Sequence, residues 1–99
     1  MATSIIQADY HELADAAGRF DHQATEVYEL NLRVQRAVDA LRQSGWLGRA
    51  ADRFYAEVDE ALLPTLRQLV SALDDAGRVS RQVSQMIEQA EQEAAGRFK

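Results

Sequence analysis

The sequence contains no cysteine, which excludes disulfide bonds and thiolate metal sites. Proline occurs once, at Pro64, and of the five glycines only Gly45 and Gly48 lie close together. Long helices therefore meet few interruptions along this chain. No run of about 18 apolar residues is present, so the sequence predicts no insertion into a membrane.

Basic residues are outnumbered, with 11 lysines and arginines against 16 aspartates and glutamates and a net charge of −5. A nucleic-acid-binding protein needs a basic face to neutralise phosphates, and no basic cluster is found. We therefore expect no nucleic-acid partner. The start of the chain has neither the basic residues nor the apolar stretch of a secretory signal peptide, so any export is expected to proceed without a cleaved peptide.

The motifs of enzymes are missing as well. His11 and His22 are eleven residues apart, which is about 16 Å along a helix, so they are not expected to share a metal ion. The acidic residues read as solvated helix faces, and no Glu-x-x-His pattern of a di-iron bundle is present. No nucleophile motif or phosphate-binding loop occurs. We expect no catalytic activity, no cofactor and no metal.

Apolar residues, at 46% of the chain, recur with alternating spacings of four and three in both halves. This heptad spacing is typical of helices that stay in contact along their length. The turn is predicted where two glycines lie close together and flank Trp46, and the rest of the chain reads as helix. The sequence therefore predicts an all-α fold in which residues 1–99 form one antiparallel helix–turn–helix hairpin, with helices at about 5–43 and 48–95 and a turn at 44–48.

The apolar surface of both predicted helices is wider than one seam. A single hairpin would leave the flanking apolar residues exposed, and exposed apolar area of this extent usually marks a protein partner. Two hairpins side by side would bury it in a four-helix bundle, so we expect a dimer of this chain with itself or with a related chain. The predicted core and dimer seam comprises Phe20, Val27, Leu30, Asn31, Val34, Val38, Phe54, Val58, Leu62, Leu66 and Leu69.

Two residues interrupt the apolar pattern. Pro64 lacks a backbone donor and crowds the carbonyl of Glu60, so we expect it to kink the second helix, with a break as the alternative. Asn31 is the strongly polar residue of the first seam and lies level with residues 59–61 when equal distances are counted from the turn. It is expected either to donate a hydrogen bond to the Glu60 carbonyl or to face solvent.

The centre of the chain carries a family resemblance. The tripeptide Trp46-Leu47-Gly48 between two long amphipathic helices, followed by Ala51 and Phe54 and by the late stretch 89–95, resembles the WXG100 family of small ESAT-like proteins. The resemblance covers the whole chain. It implies antiparallel hairpins that form homodimers or heterodimers, are made in the cytoplasm, and are exported through a type VII secretion ATPase without a cleaved signal peptide.

The resemblance also implies an export signal in two parts, the Trp-x-Gly turn and a C-terminal Tyr-x-x-x-Asp/Glu. Here the matching tail positions are Ile87 and Glu91, so the tyrosine is replaced. A literal match occurs at Tyr55 and Asp59, but it lies beside the turn, and we read it as part of a helix face. Either Ile87 serves as the apolar anchor, or the chain leaves the cell with a partner that has the tyrosine.

The sequence thus favours a small non-catalytic protein that is exported by a type VII secretion system or acts as a dimeric partner within one. Two alternatives belong to other functional classes. The first is a cytosolic dimerisation module in which Trp46 only seals the end of the bundle. The second is an adaptor that binds the helical domain of a toxin or another partner and is not itself exported.

Overall fold

The computed structural model describes residues 2–97, with side chains from residue 10 onwards. The first helix, α1, spans Ala2–Gln43 and so begins before the predicted residue 5. Helix α2 spans Arg49–Glu57, a short π-helix spans Val58–Leu62, and α3 spans Leu63–Arg97. The described residues contain no strand, and the predicted all-α fold is confirmed.

The chain divides into two compact units. The first consists of Gln23–Ala72 and includes the turn, and the second consists of residues up to His22 together with those from Leu73 onwards. In the turn unit the core is formed by Val38, Val58 and Leu63, with Val34 and Tyr55 packed against it. In both units a segment of α1 runs antiparallel to a later helical segment, as the hairpin prediction requires.

The most buried residues of α1 lie seven positions apart. Four residues, each at most 4% exposed, occupy the same heptad position in successive repeats: Ala17, Ala24, Asn31 and Val38. Two of them are alanines, whose small side chains let helix backbones approach closely. This part of the predicted 4-3 spacing therefore corresponds to the contact line of the folded chain.

Close approach is most evident at Gly77 in the terminal unit. A Cβ atom at Gly77 would lie 2.6 Å from an Asp21 carboxylate oxygen and 3.3 Å from the Ala17 carbonyl oxygen. Beside this contact the Arg81 guanidinium donates to both carboxylate oxygens of Asp21. Those hydrogen bonds lower the pKa of Asp21, so the stabilisation they provide is present above the unfolded-state pKa and is lost as the pH falls through the folded-state pKa.

The π-helix changes which face of the second helical segment points inward. The backbone N–H of Leu63 donates to the carbonyl oxygen of Val58, five residues back, so Leu63 follows Val58 on the buried side. Leu63 is 8% exposed, whereas Leu62, the residue that heptad counting selects, is 43% exposed. The helical path continues through Pro64 without a break, because the wider π-helical turn contains the Glu60 carbonyl that the proline ring would crowd.

The same shift corrects the prediction for Asn31. This residue is 4% exposed, so the alternative in which it faces solvent is wrong. Its amide Nδ2 donates to the carbonyl oxygen of Leu63 at 3.3 Å, and the predicted bond to Glu60 is replaced by this one. Gln35 donates to the Asn31 Oδ1 atom at 2.6 Å. The acceptor differs because the π-helix contains an extra residue within its turn. The Leu63 carbonyl therefore lies opposite Asn31, where regular helix geometry places residues 59–61.

Gly77→Ala should fail to give the stabilisation that alanine normally brings to a helix, about 1 kcal/mol relative to glycine. The added methyl group has no room between Asp21 and the Ala17 carbonyl. The matched control is Gly18→Ala, because Gly18 is exposed within α1 and has no atom within 4 Å of an added Cβ. Urea denaturation should show a higher free energy of unfolding for Gly18→Ala alone; an equal gain at both positions would contradict the close contact.

Asn31→Asp should lower the free energy of unfolding by about 1–3 kcal/mol at neutral pH, because a carboxylate cannot donate to the buried Leu63 carbonyl. The loss should shrink at acidic pH, where the introduced carboxyl group is protonated and regains a donor. Gln85→Glu is the control, since it makes the same chemical change at an exposed position of α3. Equal losses in the two variants would show that the buried hydrogen bond does not matter.

Candidate functional site

The turn between α1 and α2 is closed by backbone hydrogen bonds that require glycine. The N–H of Gly45 donates to the Arg42 carbonyl at 3.2 Å, and the N–H of Trp46 donates to the Leu41 carbonyl at 3.4 Å. These bonds form a Schellman motif, which places Gly45 in the left-handed region, at a φ of 85°. Gly48 has a φ of 114°, so glycine is favoured at both ends of the Trp46–Leu47 pair.

Trp46 packs on one side against two aromatic residues of α2. Its ring lies edge-on to Phe54, with centroids 5.5 Å apart, and to Tyr55, with centroids 5.7 Å apart. The other side of the indole stays open, since Trp46 is 40% exposed. Leu47 follows it at 79% exposure. The turn therefore presents an oriented tryptophan and a leucine to solvent.

Arg42 connects this aromatic cluster to the helices behind it. Its guanidinium lies 4.7 Å from the centroid of the Tyr55 ring and donates to an Asp59 carboxylate oxygen at 2.7 Å. The Tyr55 hydroxyl in turn donates to the Trp46 carbonyl oxygen at 3.1 Å. Tyr55 of α2 and Asp59 of the π-helix, the literal Tyr-x-x-x-Asp match, thus link these two elements to the turn and to the end of α1.

Neither a metal site nor a membrane-spanning helix is found within the described residues. No group of three or more histidine, aspartate or glutamate side chains there is placed to hold a metal ion. From Ala2 to Arg97, no helix is long and apolar enough to cross a membrane. A groove of about 350 Å³ in the turn unit is lined by Gln35, Asp39, Arg42, Asp59 and Arg67 among others, but Arg42 and Asp59 pair with each other there.

The predicted seam residues differ in their burial within one chain. Asn31, Val38 and Val58 are buried, Phe20, Val27, Val34 and Leu66 are half-buried, and Leu30, Phe54, Leu62 and Leu69 are exposed. The exposed members lie outside the contact between the two helical segments of the turn unit. They remain candidates for contact with a second chain.

The predicted tail positions, Ile87 and Glu91, lie one helical turn apart near the end of α3, and both are half-buried. They belong to the terminal unit, whereas Trp46, Leu47 and Gly48 belong to the turn unit. The roles of Arg42 and Tyr55 in holding Trp46 were not foreseen from the sequence. One signal was available, since Tyr55 and Asp59 are four residues apart and face the same side of a helix.

Comparison with protein-family models gives one match that covers most of the chain. The model of WXG100, described as proteins of 100 residues with WXG, matches residues 5–92. The chain belongs to the WXG100 family. Searches of curated proteins and of solved structures gave no significant match.

WXG100 proteins are small proteins associated with type VII secretion, they are secreted without a signal peptide, and the family is not enzymatic. In this WXG100 chain the tripeptide that gives the family its name is the exposed turn of Trp46, Leu47 and Gly48. Members typically dimerise with partner WXG proteins. The exposed apolar side chains of this chain are compatible with that behaviour.

Tyr55→Phe should loosen the turn while leaving the helices formed, because it removes only the hydroxyl that donates to the Trp46 carbonyl. We expect a loss of about 0.5–1.5 kcal/mol in the free energy of unfolding. Trp46 is the single tryptophan, so its fluorescence reports on the turn alone, and acrylamide should quench it more strongly. Tyr28→Phe, at a residue that is 55% exposed, is the control and should change neither measurement.

Proposed function

We propose that this protein is a small non-catalytic component of a type VII secretion system, exported by that system or acting in it as a dimeric partner. The observation that carries the proposal is the presentation of Trp46. Two glycines with positive φ, two aromatic neighbours and the Arg42–Asp59 ion pair hold its ring partly open to solvent. An aromatic side chain fixed in this way suits recognition by another protein, since little conformational freedom is lost on binding.

The distribution of charge supports an antiparallel dimer of hairpins as the active form. Around the turn, residues 33–53 contain five arginines and two aspartates. The terminal unit, in contrast, contains nine acidic residues against five basic ones. In an antiparallel pair the basic turn region of one chain lies beside the acidic ends of the other, so opposite charges face each other.

In such a dimer, one end of the bundle would bring the partner's turn close to this chain's tail. We propose that the face carrying Ile87 and Glu91, together with Trp46 of the second chain, forms one composite patch that the secretion ATPase reads. Both tail residues are half-buried on one side of α3, four residues apart. The patch is apolar with an acidic edge.

The absence of the family's tyrosine from the tail favours a second function. Because Ile87 stands where the family signal has tyrosine, this chain would leave the cell bound to a related chain that has the signal, or remain in the cytosol as an adaptor for a partner's helical domain. In that case the packing of Trp46 on Phe54 and Tyr55 would be its main role. Export from the native host, measured with the related chain present and with it deleted, separates these functions.

Truncation before Ile87 should leave the dimer folded but abolish export, because the tail half of the composite patch is removed. Trp46→Ala should have the same effect, with a stability loss of about 1–3 kcal/mol from the lost aromatic packing. Tyr28→Ala, which removes an exposed aromatic residue away from the turn, is the control. Immunoblots of culture medium and cell fractions measure export, and analytical ultracentrifugation measures the dimer.

Normal export of the truncated chain from its native host would contradict the composite patch. Loss of export only when a related WXG-type chain is deleted would instead identify this protein as the passenger of that chain. A wild-type protein that sediments as a folded monomer at micromolar concentration would contradict the dimer itself.

A further inference from the structure

Two arginines lie on the outer side of α2, next to the turn. Arg49 and Arg53 are four residues apart, so they occupy one face of this helix, one helical turn from each other. Ala51 and Val58 are buried on the opposite side of the same helical segment, and both arginines are exposed. The two positive charges therefore face away from the core of the turn unit.

Neither of these arginines is used in an ion pair. Asp52 follows Arg49 by three residues and Glu57 follows Arg53 by four, which are spacings at which ion pairs can form on a helix. Within the part of the chain that the structure describes, arginines nevertheless form ion pairs at three other positions only: Arg42, Arg78 and Arg81. The charges of Arg49 and Arg53 thus remain available to another molecule.

The two arginines border the exposed apolar residues of the turn. Arg49 follows Leu47 by two residues, and Leu47 is 79% exposed. Arg53 directly precedes Phe54, against which the Trp46 ring packs. The turn unit therefore presents an open indole, a leucine and two unpaired positive charges on neighbouring residues. We call Trp46, Leu47, Arg49 and Arg53 the turn surface.

From this arrangement we infer that the turn surface binds an acidic helix of the protein that reads the turn. Carboxylates one helical turn apart on that helix pair with Arg49 and Arg53, and apolar side chains beside them cover Trp46 and Leu47. The inference rests on the proposed function and adds a charge requirement to the turn half of the composite patch. Such pairs make recognition selective and speed association.

The acidic residues of α2 favour a protein over a uniformly negative partner. Asp52 and Glu57 lie close to the two arginines along the helix. An anionic membrane or a nucleic acid would bring negative charge to these carboxylates as well, whereas a protein can place its own carboxylates at the arginines alone. A second copy of this chain matches less well, because no two of its acidic residues are four apart in sequence.

Charge reversal in the full-length chain tests this inference. The variant with both Arg49→Glu and Arg53→Glu should bind the purified ATPase domains of the host's type VII system about tenfold or more weakly, because like charges would meet. The variant with both Arg49→Lys and Arg53→Lys keeps the charges and should retain most of the binding. Added salt should weaken binding of the wild type and of the lysine variant, but not of the glutamate variant. Export from the native host should follow the same order.

Arg33→Glu is the matched control. Arg33 is an exposed arginine of α1 in the turn unit, and it too lacks an ion pair within the described residues. The same charge reversal there should change neither ATPase binding nor export. Circular dichroism and Trp46 fluorescence should stay as in the wild type for every variant, so that a loss of binding does not reflect a loss of structure.

The outcomes separate this inference from the proposed function. Unchanged ATPase binding and export after reversal of Arg49 and Arg53 would overturn the inference and leave a secretion component in place. It would also be overturned if reversal dissociated the dimer in sedimentation experiments, which would assign the arginines to a second copy. Loss of binding to vesicles of phosphatidylserine and phosphatidylcholine, with ATPase binding unchanged, would assign them to a membrane and overturn it equally. A wild-type chain that is neither exported nor bound by the ATPase would contradict the proposed function and the inference with it.

Discussion

One backbone hydrogen bond, from the Leu63 N–H to the Val58 carbonyl, determines which faces the second half of the chain presents. Because it spans five residues where an α-helix spans four, every later residue is rotated relative to a regular helix. Leu63 and Gly77 thereby turn inward, while Leu62 and Leu69 turn outward. The buried amide of Asn31 bonds to the Leu63 carbonyl and fixes this arrangement on α1. The close contact at Gly77 is on the face that this rotation turns inward.

Much of the fold was predictable, because α1 keeps a constant number of residues per turn. Asn31 and Val38 are buried where the 4-3 spacing placed them, and so is Val58 on the far side of the turn. Beyond Val58 the same counting selected Leu62, which is exposed. Counting residues along a heptad assumes regular helix geometry. Pro64 indicates that this geometry is disturbed, but the sequence does not show whether the helix kinks, breaks or widens into a π-helix.

The candidate site was predictable only in part. Trp46, Leu47 and Gly48 could be found because a tripeptide between glycines marks a turn and a family motif. The residues that hold the tryptophan could not, because Arg42 meets Tyr55 and Asp59 only after the chain has reversed direction. A single sequence does not record which side chains meet across a turn. The literal match at Tyr55 and Asp59 therefore looked incidental, although both residues have a defined structural role.

The Schellman motif at the turn also bears on the order in which the chain folds. Contacts across the hairpin join residues ever further apart in sequence, 17 for Arg42 with Asp59, 32 for Asn31 with Leu63 and 74 for Ser84 with Tyr10. Closing each from an open chain costs entropy that rises by about 0.6 kcal/mol per doubling of the loop. If the contacts form in order from the turn outwards, each one closes only a short additional loop, and its entropic cost is small. We therefore expect pairing to begin near Gly45 and to proceed towards the ends of the chain, so that during synthesis α1 stays unpaired until α2 has been made.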